Sequence, residues 1–270
     1  MRRRPRIGLA LGAGGARGFA HIGVLQVLEE IGVPIDMIAG SSMGSLIGAF
    51  YCTGMETRYM ETLAINLKRR HWIDFSVVPK MGFVNGARIM EMVRFLTKDQ
   101  NIEDLPIPFA VVATDVQKGE RVVYREGAVH QAVRGSISIP GIFMPHRYQG
   151  RMLIDGGVVD RVPINVVREM GADLVIAVDV GLYDRETEVK SIFDVIFQSI
   201  EIMEREILRT RILNADVIVR PDVGHISSTA FTNIEEAIAC GRQAAERVAE
   251  LILKTIAEWQ EGECADGIEA

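Results

Sequence analysis

Ile35-Asp-Met-Ile-Ala-Gly-Ser-Ser-Met-Gly-Ser-Leu-Ile-Gly-Ala-Phe-Tyr51 changes texture at its centre. The apolar positions Ile35, Met37, Ile38 and Ala39 predict a buried strand, and Ser45 to Tyr51 reads as a small-residue helix. Between them stands Gly40-Ser41-Ser42-Met43-Gly44, a Gly-x-Ser-x-Gly at a strand-to-helix turn. Such a turn is tight, and flanking glycines spare it side-chain clashes. Its serine projects a hydroxyl from the end of a sheet at the start of a helix, the setting of a nucleophile elbow. Ser42 is therefore a candidate nucleophile. A glycine-rich turn with an incidental serine is the plainer alternative from this stretch alone.

Upstream, Ile7 to Leu11 reads as a short buried strand, followed by Gly12-Ala13-Gly14-Gly15-Ala16-Arg17-Gly18. A helix is expected from Gly18 to Ile31, with Phe19, Leu25, Leu28 and Ile31 near one face and Gly32 ending it. Glycines let backbone N–H groups approach a ligand closely, and a helix N-terminus adds partial positive charge. The loop suits an anion, either a phosphate or the oxyanion of a tetrahedral acyl intermediate. Ile7 to Ala39 makes one βαβ unit with neighbouring strands. The glycine loop and Ser42 both leave C-terminal strand ends and so share one sheet edge. A hydroxyl beside a bank of amide donors is an acyl-transfer constellation. A dinucleotide fingerprint would need glycine where Arg17 stands, and Asp36 opens its strand rather than ending it. Nucleotide binding is the weaker reading.

Further buried strands are expected at Phe109 to Thr114, Arg151 to Ile154, Leu174 to Val178 and Val217 to Val219. Strands buried on both faces and separated by helices predict an α/β fold, a mostly parallel central sheet with helices on both faces. Residues 55 to about 105 interrupt that rhythm as a charged helical excursion beside the sheet, carrying Trp72, Phe75, Met81 and Phe83, with a cap over the site as one role open to it. Phe193, Ile196, Phe197, Ile200, Met203 and Ile207 form a helical stripe. Core burial is its expected fate, with a dimer or membrane-facing surface as the alternative. Thr232-x-x-Glu235 predicts a capping box opening a C-terminal helix over 232–259, with a frayed acidic tail beyond Trp259. No linker or repeat divides the chain, so one domain over 1–270 is expected.

The 270 residues are 48% hydrophobic and 24% charged, with a net charge of −6. That balance gives no bulk electrostatic support to nucleic-acid binding. The opening Arg2-Arg3-Arg4-Pro5-Arg6 is basic but short, a solvated terminus first and a headgroup contact second. No apolar run approaches the 18 or more residues of a membrane span, and no signal-peptide h-region precedes the first glycine. A soluble cytoplasmic protein is expected, with any membrane contact peripheral. Cys52, Cys240 and Cys264 are odd in number and widely spaced, which fits neither a disulfide framework nor a metal pattern.

Asp155-Gly156-Gly157 follows the Arg151 to Ile154 strand, and its two glycines leave room for another group to approach the acid. Alone, such a tripeptide reads as a turn. Asp160 follows the turn and Asp179 ends a strand without paired glycines, so both are weaker candidates. Of the five histidines, His21 reads as a satisfied helix or core residue, and His71 and His130 lie in polar, exposed texture. His146 follows Pro145 in a loop. Only His225 would complete the order Ser, Asp, His of a triad.

Taken together, the glycine loop with Arg17, Gly40-x-Ser42-x-Gly44 and Asp155-Gly156-Gly157 resemble the patatin-like phospholipase family, in its short bacterial single-domain type. The stretch Arg134-Gly-Ser-Ile-Ser-Ile-Pro140-Gly-Ile-Phe143 is similar to the family's segment ahead of the aspartate. The resemblance covers roughly Ile7 to Val180, and the order and spacing of the motifs carry it. It implies a Ser-Asp dyad rather than a triad, with Ser42 as nucleophile and Asp155 as base. It implies an oxyanion hole at Gly14 and Gly15, with Arg17 and Met43 close by, framed by the motif glycines Gly12, Gly18, Gly40, Gly44, Gly156 and Gly157. The family's frequent form has three adjacent glycines; Ala13 stands at one of these positions and still offers its N–H. Arg17 either serves the oxyanion or a phosphate headgroup, or pairs with a nearby acid. The implied substrates are lipid carboxyl esters, cleaved in phospholipase A, lysophospholipase or esterase fashion without metal or cofactor. The alternatives are an acyltransferase using the same acyl-serine and a non-catalytic lipid-binding regulator. Lipid or ester substrate is the expected partner, nucleic acid is not, and homo-oligomerisation stays open.

Overall fold

A computed structural model of the chain describes residues 4–66, 74, 81–181, 192–211, 214–228 and 231–266; Arg2, Arg3, His71, Trp72 and Phe75 lie outside them. Ile7, Leu9 and Leu11 pack into one hydrophobic cluster and Ala10 into another. This is the two-residue alternation of an extended chain buried on both sides. The strand they form is β1 (Ile7–Leu11), and a 3-10 turn, Gly15–Phe19, leads from it into α1 (Ala20–Glu30). Next come β2 (Met37–Ser41), α2 (Met43–Cys52), α3 (Thr57–Asn66), β3 (Gly82–Val84) and α4 (Ala87–Leu96). The middle of the chain supplies β4 (Phe109–Asp115), β5 (Glu120–Tyr124), α5 (Val129–Ser136), β6 (Gly141–Phe143), β7 (His146–Tyr148) and β8 (Arg151–Ile154). A 3-10 turn, Gly156–Val158, then α6 (Ile164–Glu169), β9 (Leu174–Val178), α7 (Ile192–Arg211), β10 (Val217–Val219) and α8 (Ile234–Asp266) follow.

The central sheet runs β10-β9-β1-β2-β4-β8-β7, with β5 on β4. From β10 to β4 every pairing is parallel. Side chains of α1, α2, α5 and α8, among them Leu25, Ile47, Val133 and Ile238, cover one face. Val166 and Val167 of α6 and Leu208 of α7 cover the other, against small strand residues such as Ala39 and Ala177. The fold is thus α/β, with a mostly parallel sheet and helices on both faces. Among the described residues no helix is long and apolar enough to cross a membrane.

The far half of the sheet departs from the parallel pattern in a way that builds the site. Val111 and Val112 of β4 pair with both β2 and β5, so these two strands lie on opposite edges of β4. Thr114 and Asp115 pair with both β5 and β8, so β8 shares the β2 edge. Along that edge β2 reaches Ser41 opposite Val112, and β8, running antiparallel, reaches Ile154 opposite Thr114. Two strands therefore meet end to end, and the residues that follow them, Ser42 and Asp155, converge beside Ala113.

Several expectations shift. The second strand starts at Met37 rather than Ile35, because Asp36 is spent before the ladder, its Oδ2 accepting Ile7 N–H at 2.7 Å. The strand continues through Gly40 and Ser41, which pair with Leu11 and Val112. Strand β7 escaped the sequence reading because it is half-exposed and polar, and β5 because it opens with Glu120 and Arg121 and leaves only a short apolar end. The small sheet of β3 and β6 was missed because each strand has only three residues.

Helix α8 begins after Asn233, whose carbonyl accepts Ala237 N–H, while Thr232 Oγ1 donates to Asn233 Oδ1. The expected capping box is not formed, and the helix runs beyond Trp259 to Asp266. Core burial of the α7 stripe also fails. Met203 is 56% and Ile196 36% exposed; the side chains of Phe193 and Phe197 lie outside the described residues. Among the described side chains of α7 the buried ones are Glu204 and Leu208, four residues apart on one face.

Candidate active site

Ser42 sits between β2 and α2 with φ 52° and ψ −123°. A non-glycine residue held there stores strain of about 1–3 kcal/mol. The flanking glycines make the turn sterically feasible: a Cβ on Gly40 would lie 2.5 Å from Gly44 O, and one on Gly44 2.1 Å from Leu11 O. Ser136 Oγ accepts Ser42 N–H at 2.9 Å and donates to Val112 O at 2.6 Å, tying the turn to β4.

Asp155 is anchored as firmly. Its N–H donates to Ser138 O at 2.9 Å and its carbonyl accepts Thr114 Oγ1–H at 2.8 Å. Its Oδ1 accepts Gly157 N–H at 2.8 Å, and Ser42 Oγ–H donates to its Oδ2 at 2.5 Å. Ser42 is 4% and Asp155 5% exposed. Burial pushes the Asp155 carboxyl up to about 7, helped by the nearby Glu204 and opposed by the bonds from Ser42 and Gly157 and by Arg161. A carboxylate with that proton affinity, bonded to a hydroxyl, can draw the hydroxyl proton near neutrality.

The glycine loop lies alongside. Gly14 and Gly15 line the same cleft as the polar side chains of Ser42, Asp155, Arg161, Glu201, Glu204 and Ser228, with Ile139, Pro140 and Ile200 along its apolar side. The neighbouring amides are occupied: Gly12 N–H donates to Val178 O, Ala13 N–H to Arg161 O, Ala16 N–H to Ser228 O and Arg17 N–H to Gly14 O. The Ala13 amide is therefore not offered to a ligand. Met43 opens α2, where the first helical amides have no intrahelical acceptor. Arg17 follows the second of its two readings. It is buried, donating from Nη1 to Glu201 Oε1 and from Nε to Ile226 O, both at 2.7 Å.

On its other side Ser42 opens onto an apolar pocket lined by Phe19, Leu46, Phe50, Met60, Ile89 and Phe143. Met60, Leu63 and Ala64 of α3, with Ile89 and Met92 of α4, belong to this lining. The excursion at 55–105 thus contributes a pocket wall. Ser42 stands where the apolar pocket and the polar cleft meet.

No histidine joins Ser42 and Asp155 among the described residues. His21 Nε2 donates to Gly12 O at 2.8 Å, and burial holds the ring down at about 4, neutral. His225 pairs with Glu236 Oε1 at 2.7 Å. His146 bonds Gln131 and is also held down at about 4. His130 is buried rather than exposed, because α5 turns it toward Asp99 at 3.4 Å. No group of three metal-ligating side chains occurs among the described residues.

Four residues of the site escaped sequence reasoning. Ser136 and Ser138 stood inside the Arg134 to Phe143 stretch, but nothing in their spacing named their partners. Arg161 and Glu204 form a buried ion pair between segments far apart in the chain. The only linear signal was the pair of acids Glu201 and Glu204 at helical spacing.

Comparison with known proteins places the chain among its relatives. The sequence profile described as patatin-like phospholipase matches residues 9–168. The chain is 42% identical over 180 residues to an uncharacterized NTE family protein of Mycobacterium tuberculosis, spanning 66% of this chain and 49% of that one. It is 38% identical over 186 residues to the lysophospholipase NTE1 of Mycosarcoma maydis, spanning 66% of this chain and 10% of that one. The chain thus spans about half the length of the mycobacterial relative and a small part of the fungal one. In fold it is similar to VipD from Legionella pneumophila, with a TM-score of 0.56 and 16% identity over 92% of this chain and 67% of that one.

Proposed function

Because the chain belongs to the patatin-like phospholipase family, we propose that it is a serine acyl hydrolase that cleaves carboxyl esters of lipids through a Ser42–Asp155 dyad. The observation that carries this reading is the 2.5 Å bond from Ser42 Oγ to Asp155 Oδ2, made where an apolar pocket meets a polar cleft. The pocket suits an acyl chain and the cleft a polar leaving group.

In the first half-reaction Asp155 Oδ2 takes the Ser42 proton while Oγ attacks the ester carbonyl carbon. The carbonyl π electrons move onto oxygen, and the oxyanion lies against the amides of Gly14 and Gly15, with Met43 N–H at the helix start. Each such donor lowers the barrier by roughly 3 kcal/mol. The intermediate collapses, the C–O bond to the alcohol breaks, and the proton on Asp155 passes to the departing oxygen. Water then gives its proton to Asp155 and attacks the acyl-Ser42. Collapse releases the fatty acid and returns the proton to Ser42 Oγ. Arg17, engaged by Glu201 and Ile226, shapes the glycine loop in this account and does not bind the oxyanion.

Peripheral contact with a lipid surface belongs to the same reading. Exposed apolar side chains support it, among them Phe83 on β3, Phe95 on α4 and Ile196 and Met203 on α7. The test is hydrolysis of short- and long-chain p-nitrophenyl esters and of lysophospholipid by wild type and by folded Ser42→Ala. Loss of every activity in the variant supports the proposal, and an equally active variant overturns it.

A further inference from the structure

Gly157 is the second glycine after Asp155, and the space left by its missing side chain holds a second carboxylate. A Cβ at this position would lie 2.7 Å from Glu204 Oε1 and 3.1 Å from Asp155 Oδ1. Two acids thus face each other across a glycine, and Glu204 is only 7% exposed. Like charges this close in a poorly solvated site repel, so a cation is needed to steady them. Arg161 is that cation. Its Nη1 bonds Glu204 Oε2, its Nη2 donates to Ala13 O at 3.2 Å, and its Nε stands 3.7 Å from Asp179 Oδ1. Its own carbonyl accepts Ala13 N–H at 2.9 Å. One residue therefore joins α7, the glycine loop and the end of β9.

We propose that the Arg161–Glu204 ion pair is a positioning device of this site, stationing a second carboxylate against Asp155 while tying α7 to the glycine loop. Its catalytic consequence rests on the acyl-hydrolase reading; its geometry does not. Glu204 acts through Asp155. Its charge makes the ionised Asp155 less favourable, adding to burial, so Asp155 holds a proton more readily and is the stronger base for Ser42. Against this act the Ser42 hydroxyl, the Gly157 N–H and Arg161. Burial pushes the Glu204 carboxyl up as well, aided by Glu201 and Asp179, while the charge and hydrogen bond of Arg161 oppose this and favour its ionised form; Glu201 in turn pairs with Arg17.

A carbon-13 NMR titration of the Asp155 carboxyl, assigned by its loss in Asp155→Asn, reads this effect without substrate. Glu204→Gln keeps the side-chain volume and an acceptor for Arg161 while removing the charge. The Asp155 midpoint is expected to fall by about half a pH unit or more, because a like charge has been removed. The acid limb of ester hydrolysis should move down with it. Glu204→Asp, which draws the carboxylate back by one methylene, should lower the midpoint by less and serves as the test if Glu204→Gln fails to fold. An unchanged or raised midpoint in the folded variant overturns the proposal, even if esters are still hydrolysed. A lowered midpoint in the variant, where wild type itself hydrolyses no ester, upholds it and counts against the acyl-hydrolase reading instead.

Discussion

Ser42 Oγ donates a 2.5 Å hydrogen bond to Asp155 Oδ2 across 113 residues of sequence. The contact exists because β2 and β8 approach from opposite directions along the same edge of β4 and stop one residue short of each other. Neither residue needs a loop to reach the other, which keeps the pair rigid.

If that pair is the reacting centre, Ser42→Ala and Asp155→Ala should each lower kcat/KM by at least about a thousandfold. His225→Ala should retain most activity, because its ring is engaged by Glu236. Steady-state ester hydrolysis by the three folded variants checks this. A dead His225→Ala protein with native circular dichroism would restore the triad reading.

The pH profile follows from Asp155, whose carboxyl is pushed up to about 7 by burial first and Glu204 second. A general base works only when ionised, so kcat/KM should rise with pH through about 7 and level off above it. A profile already flat from pH 5 upward would show that Asp155 does not limit the reaction.

The same shift has a consequence for stability. Asp155 has its folded value, about 7, above the model-peptide value of 3.8. Burial therefore costs nothing through this group below pH 3.8, costs more as pH rises, and costs its full amount above about pH 7. Asp155→Asn removes the buried charge and should melt about 5 °C higher than wild type at pH 8, with the gap closing toward pH 4. Thermal unfolding followed at both pH values checks the sign. A variant melting lower at pH 8 would mean that the carboxylate's hydrogen bonds outweigh its desolvation.

If the apolar pocket holds the acyl chain, it should set chain-length preference. Leu63 of α3 is part of its lining, and Leu63→Trp should narrow it. The ratio of long- to short-chain ester hydrolysis should fall by about tenfold or more, read as kcat/KM across a p-nitrophenyl ester series. An unchanged ratio would mean that the acyl chain lies elsewhere.

Much of this was legible from local sequence, and what was not has a physical reason. The Gly40 to Gly44 turn could be read because its constraints are local: strand texture before it, helix texture after it, and no room for side chains at Gly40 and Gly44. The strand Arg151 to Ile154 could be read too, but its antiparallel direction could not, and that direction is what brings Asp155 to Ser42. Helix α7 misled because hydropathy treats Ile196 and Met203 as core residues. Its inward face instead carries carboxylates for two buried guanidiniums, those of Arg17 and Arg161, a demand set by segments far away in the chain. Strand β5 escaped for the opposite reason, since Glu120 and Arg121 make an extended segment look like a loop.

The most direct measurement is the mass of the peptide containing Ser42 after the protein is treated with a fluorophosphonate carrying a long alkyl chain. Wild type should show stoichiometric phosphonylation of Ser42, with loss of ester hydrolysis in step with labelling, and folded Ser42→Ala should not be labelled. Wild-type protein that hydrolyses lipid esters while Ser42 stays unmodified would contradict the role of Ser42 as nucleophile.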